Sequence, residues 1–171
     1  NKGFHVLADA LATMDDLPWR WVLVGDGSYR SVIERRLRDS GLIDRVMLAG
    51  AQDEGGLHAW YEAATLFVHP TLYEGSSIVT LEAMAHRRAV VASDAGGLPD
   101  KVRDGQTGWL VPPGNPGALA EALRRALAEP AHLPEMGLAG RALVEAEFSW
   151  TTVTDRLLAV FSELLHETRP S

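Results

Sequence analysis

The 171-residue sequence contains no cysteine. That absence excludes disulfides, thiol nucleophiles and thiolate zinc sites, and it fits a reducing, cytoplasmic setting. Long apolar runs are missing too. None approaches the roughly 18 residues that a membrane-spanning helix needs. The opening Asn1-Lys2-Gly3-Phe4-His5 has none of the layout of a signal peptide. There is no basic excess either: 16 Lys and Arg stand against 23 Asp and Glu, for a net charge of −7. That balance argues against nucleic-acid binding, which usually shows a basic stripe. The nearest candidate stripe, Glu34-Arg35-Arg36-Leu37-Arg38, would spread its arginines over an exposed helical face beside Glu34 and Asp39. What is present is 46% hydrophobic content, enough for one globular domain over residues 1–171 with a core of its own.

Apolar periodicity sets the order of elements. Phe4, Leu7, Leu11 and Met14 recur at helical spacing, predicting an amphipathic helix over 2–14. Trp21-Val22-Leu23-Val24 is a short apolar run stopped by Gly25-Asp26-Gly27, and a helical pattern with Val32, Ile33 and Leu37 follows, ending at Gly41. Strands are expected at 46–48, 66–68, 89–92 and 109–111, with helices at 57–64 and 78–86 and a short helical turn at 99–102. After Pro112-Pro113-Gly114 only helical patterns remain: Leu119, Leu123 and Leu127 on one, then 133–147, then 151–165 behind Ser149 as N-cap. Short apolar strands alternating with helices predict an α/β fold, a doubly wound parallel sheet covered on both faces, with a helical C-terminal tail. Ligands of such sheets sit at the carboxyl ends of the strands. Here those loops are 25–28, 50–52, 69–77 and 93–98.

The segment richest in chemistry is 73–85. Gly75-Ser76-Ser77 leads into a helix beginning Ile78-Val79, so small residues would let a phosphate reach bare backbone N–H groups at the positive end of the helix dipole. Glu74 and Glu82 bracket that start. Along a largely helical path at ~1.5 Å per residue they would stand roughly 12 Å apart. That is wider than the pair of a glycoside hydrolase, about 5–5.5 Å for retention or 6.5–9.5 Å for inversion. Such a span suits a ligand with hydroxyls at both ends and a diphosphate between. On the residues alone a second reading stays open, with Ser77 a plain N-cap and Glu82 an exposed helix residue.

The ordered set Lys2-Gly3, Gly25-Asp26-Gly27, Glu74 to Glu82, Val90-Val91-Ala92, Gly96-Gly97 and Gly105-Gln106-Thr107-Gly108 resembles the donor-binding C-terminal domain of the retaining family-four glycosyltransferases of GT-B fold. The resemblance covers nearly the whole chain. It implies that Lys2 meets the diphosphate of a UDP-, GDP- or ADP-sugar, and that amides near Ser77, Ile78 and Val79 complete the phosphate cradle. It further implies that Glu74 is the catalytic carboxylate, holding donor-sugar hydroxyls, that Glu82 holds the ribose, and that Gly25 and Gly27 line the donor pocket. No metal or other cofactor is implied, because enzymes of this kind meet the leaving diphosphate with cationic side chains and a helix dipole. An N-terminal acceptor domain, outside this sequence, would complete the enzyme and carry any peripheral membrane association. Ser76-Ser77 stands where many members have Phe-Gly, Arg87 and Ala89 replace a frequent glycine and proline, and Asp100 replaces a frequent glutamate.

Rival readings attach to single features. Gly25-Asp26-Gly27 begins like a dinucleotide fingerprint, but Arg30 occupies the third glycine position. Asp94, Asp100 and Asp104 each neighbour a turn glycine or proline, where aspartate bonds locally rather than to a metal. His69 before Pro70 reads as structural, and the scattered tryptophans read as packing groups. A nucleotide-sugar epimerase and a non-catalytic interaction module are the alternatives for the whole chain.

Overall fold

The computed structural model describes residues 2–167. Twelve elements alternate as expected: α1 (Phe4–Leu11), β1 (Trp21–Val24), α2 (Arg30–Asp39), β2 (Val46–Gly50), α3 (Glu54–Ala63), β3 (Leu66–His69), α4 (Ile78–Ala85), β4 (Ala89–Ser93), β5 (Gly108–Val111), α5 (Pro116–Ala128), α6 (Leu133–Glu147) and α7 (Trp150–Glu167). All strand pairs are parallel, and the ladder falls into two parts, β1–β2 and β3–β4–β5. The two parts differ in burial at β4 and β1. All five residues of β4 are buried, whereas β1 is only half-buried and its register slips between Leu23 and Val24. Both ladders nevertheless feed one core, in which Val91, Trp109 and Val111 meet α1 (Val6, Leu7, Leu11) and α5 (Leu119, Leu123), with Leu23 and Leu48 packed against them. A second cluster on the other face joins Met84, Val90 and Ala92 to Leu98, Val102 and Leu143.

Several boundaries differ from expectation, α3 beginning at Glu54 rather than Leu57 and α1 ending at Leu11 rather than Met14. Helix α1 starts at Phe4 rather than Lys2, because Gly3 is left-handed (φ 67°) and ends the extended entry. Residues 99–101 make a turn instead of a helix, so the β4–β5 crossover carries no helix. The C-terminal helices differ in packing. α5 and α6 contribute Leu119, Leu123, Leu133 and Leu143 to the core. Along α7, Trp150, Val153, Leu157, Val160, Phe161 and Leu164 recur at helical spacing and are all exposed.

Helix α4 is defined at both ends by local bonds. Ser77 caps it, its Oγ accepting from the Thr80 N–H at 3.3 Å and from the Thr80 hydroxyl at 2.8 Å. At the other end Arg87 takes the left-handed position (φ 58°) while Arg88 N–H returns to the Ala83 carbonyl. That geometry is ordinarily glycine's. Arg87 is the one non-glycine residue with positive φ among the described residues.

Candidate functional site

The site forms where the ends of β3 and β4 and the start of α1 converge on the loop before α4. Glycine makes that convergence sterically feasible. A Cβ on Gly3 would lie 1.7 Å from the Pro70 carbonyl O, so only glycine lets the chain before α1 rest on the end of β3. Gly96 (φ 54°) does the same from the other side, its Cβ position lying 1.6 Å from the Glu74 carbonyl O. The loop 70–75 is thus clasped between two backbone contacts. Its side chains are placed by the clasp.

Lys2, one residue before Gly3, is held over this loop. Its Nζ donates to Glu74 Oε2 at 2.8 Å. The same oxygen lies 3.1 Å from His69 Nε2, and His69 in turn approaches Ser77 Oγ at 3.5 Å. The Glu74 side chain is 14% exposed and that of His69 7%. The hydrogen bond from Lys2 is the main force holding the Glu74 carboxyl below the usual glutamate range, with His69 adding to it and burial opposing. Burial pushes His69 down, against the opposing pull of Glu74. The imidazole is therefore neutral at pH 7, and its Nε2–H is the proton that reaches Glu74.

Four residues farther into α4 than Ile78, Glu82 has its own partner. The Tyr61 hydroxyl, from α3, donates to Glu82 Oε2 at 2.9 Å. Burial first, and the carboxylate second, raise the phenol pKa, so Tyr61 remains a donor across the working pH range. Glu74 and Glu82 share no partner. The path between them is helical only from Ile78, because Gly75 and the Ser77 cap hold the earlier residues outside α4.

Between the two carboxylates lies the N-terminus of α4. Ser77 satisfies the Thr80 N–H, while the amides of Ile78 and Val79, as the first two helical residues, have no intrahelical acceptor. Ile78 and Val79 are both exposed there. Lys2, Glu74, Ser77, Ile78, Val79 and Glu82 therefore sit along one loop and helix start. Gly25 and Gly27 do not join this chain of contacts: Gly25 N–H donates to the Gly50 carbonyl at 2.8 Å, and Gly27 N–H to the Asp26 carboxylate at 2.7 Å. Their loop is at the carboxyl end of β1, in the other ladder.

Tyr61 was not legible as a site residue, since nothing in the pattern of α3 distinguishes it from a packing aromatic. His69, read as structural, does hold Glu74. Asp104 serves a turn, its Oδ1 accepting from Leu110 N–H at 3.0 Å. Two surface cavities of about 490 Å³ lie elsewhere, one lined by Ala64, Arg87 and Leu133, the other by Trp109, Arg125 and His132. Neither is lined by Lys2, Glu74 or Glu82.

Comparison with known proteins places the chain in a family. Residues 1–129 match the family model of glycosyl transferases group 1. An alpha-maltose-1-phosphate synthase of Mycolicibacterium smegmatis is 44% identical over 108 residues, covering 60% of this chain and 28% of its own. Sucrose-phosphate synthase from Thermosynechococcus elongatus superposes with a TM-score of 0.87 at 35% identity, over 98% of this chain and 43% of that one. Anabaena HepE, solved in complex with UDP, superposes with a TM-score of 0.85 at 26% identity, over 95% of this chain and 45% of that one. The chain thus spans less than half the length of these relatives. In sequence and in fold it belongs to the group 1 glycosyltransferases, and it matches one part of their GT-B fold.

Proposed function

We propose that this chain is the C-terminal, donor-binding domain of a retaining glycosyltransferase, and that it binds a nucleoside diphosphate sugar across the start of α4. The observation that carries the reading is the juxtaposition of the Lys2–Glu74 pair with the unpaired first amides of α4. Lys2 and the Ile78 and Val79 N–H groups face the diphosphate. Glu74 accepts from hydroxyls of the sugar, and Glu82, steadied by Tyr61, accepts from the ribose. In the transfer the bond from the sugar's anomeric carbon to the diphosphate oxygen breaks and a bond to an acceptor oxygen forms, with the configuration kept. Negative charge then grows on the departing nucleoside diphosphate. Fixed donors aimed at that charge lower the barrier, and no metal is required in this reading.

HepE's complex with UDP supports the nucleotide class. The acceptor would bind a further domain across the site, so the isolated domain would not transfer sugar. The exposed apolar face of α7 suits docking against that domain. Any peripheral membrane association would be carried there as well, and the setting remains cytoplasmic. Among the described residues no helix is long and apolar enough to cross a membrane.

The test is calorimetric titration with UDP, GDP and ADP in metal-free buffer. Micromolar binding of one, lost in Lys2→Ala and Glu82→Ala variants with unchanged circular dichroism, supports the reading. Equal binding by both variants and the parent overturns it.

A further inference from the structure

Lys101 follows the Gly96–Gly97 turn and is only 5% exposed. Its Nζ donates to the Gly97 carbonyl at 3.1 Å and stands 5.9 Å from the centre of the Phe148 ring. It forms no ion pair among the described residues. Its neighbours Leu98 and Val102 are fully buried members of the core cluster that Phe148 joins. A lysine in such surroundings is costly, since an ammonium removed from water without a carboxylate recovers little of its hydration energy. Methionine or leucine would fill the same space without that cost. Packing alone therefore does not account for the residue.

Its position does. A Cβ built on Gly97 would lie 3.5 Å from Lys101 Nζ and 2.6 Å from the Gly75 carbonyl O, so the ammonium stands directly behind the loop that carries Glu74 and Gly75. Gly96, next to it, is the residue that clasps Glu74. The net charge of the chain is −7, so a fixed cation here acts against an otherwise repulsive field for an anionic ligand.

We propose that Lys101 is a positioning residue for the diphosphate, fastening the Gly96–Gly97 turn against Glu74–Gly75 and setting a buried positive charge behind the loop that leads to α4. This rests on the donor-site reading above. A unit charge on the order of 10 Å from a phosphate, at an effective dielectric near 20, alters affinity about tenfold. The uncharged nucleoside would not feel it.

The test uses the chain itself with Lys101→Met, which keeps length and apolarity, and Lys101→Arg, which keeps charge. Each is titrated with whichever of UDP, GDP and ADP the parent binds best. The matching nucleoside is followed by ligand-observed NMR. The expected result is about tenfold weaker diphosphate binding in Lys101→Met with nucleoside binding unchanged, a shallower dependence on salt, and recovery in Lys101→Arg. Unchanged diphosphate binding in Lys101→Met overturns the proposal, and so does equal weakening of diphosphate and nucleoside, which marks a core plug. If the parent binds no nucleoside diphosphate, the donor-site reading itself fails and this proposal falls with it.

Discussion

Replacing Gly96 by alanine tests the clasp on which the site is built. Two costs are expected. Gly96 has φ 54°, where an L-residue with a Cβ is strained by about 1–2 kcal/mol. The new Cβ would also fall 1.6 Å from the Glu74 carbonyl O and 2.8 Å from its carbon, which forces the loop 70–75 to move. Displacing packed backbone by such an amount typically adds about 1–3 kcal/mol. Gly41 separates the two terms. It ends α2 with φ 69°, and nothing lies within 4 Å of its Cβ position, so Gly41→Ala carries the backbone cost alone. Urea unfolding of the two variants beside the parent should place Gly96→Ala about 1–3 kcal/mol below Gly41→Ala. Nucleotide titration should show weakened binding in Gly96→Ala only. Equal destabilisation by both substitutions, with binding intact in Gly96→Ala, would refute the claim that this turn positions Glu74.

Three further outcomes are expected. Arg87→Gly should raise stability by about 1 kcal/mol in thermal or urea unfolding, because glycine removes the strain of the left-handed end of α4; a neutral or destabilising result would mean that the Arg87 side chain offsets that strain. Tyr61→Phe removes the donor to Glu82 and should weaken nucleotide binding severalfold while costing about 1.5–3 kcal/mol in stability, as for a hydrogen bond to a charged group; unchanged affinity in calorimetry would detach Tyr61 from the site. His69 is depressed by burial below its ordinary 6.5, so the unfolded chain takes up its proton first as pH falls. Its contribution to stability is complete above that ordinary value and lost as pH falls through the lowered one, and the slope of unfolding free energy against pH in this window should diminish in His69→Gln.

Most of the fold was legible because its strands announce themselves. Val90-Val91-Ala92 is wholly buried and reads as an unbroken apolar run, as a strand covered on both faces must. Helix α1 was legible by period but not by start, since its boundary is set by contact between Gly3 and Pro70, which are far apart in sequence. The division of the ladder into two parts was hidden for the same reason: it is a matter of strand pairing across the chain, not of the apolar content of Trp21–Val24. Within the site, the Ser77 N-cap was legible from the residues as the plainer reading, whereas the Lys2–Glu74 contact was not, since motif order only marked both residues. Tyr61 and Lys101 were not marked at all. The first is one aromatic among several on an amphipathic helix, and the second is a lysine whose burial no local pattern encodes. Arg87 was visible as a departure from a frequent glycine, and its positive φ gives that departure a physical meaning.

The acidity of the chain and the presence of two glutamates beside a proposed diphosphate site look contradictory until partners are assigned. Glu74 is met by the Lys2 ammonium and a neutral His69, so the loop in front of α4 carries little net charge although it contains a carboxylate. Glu82 is met by the Tyr61 hydroxyl from another helix. Each carboxylate keeps acceptor capacity for hydroxyl groups, because neither partner uses all of its lone pairs. The donors proposed for phosphate are different groups, the first amides of α4 and the remaining protons of Lys2. Acceptors therefore flank donors along one loop and one turn of helix. A free phosphate would use only the middle of such an array, and a neutral sugar only its ends. Under the proposed reading, a molecule with hydroxyls at both ends and a diphosphate in between engages all of it, and a nucleoside diphosphate sugar has that form.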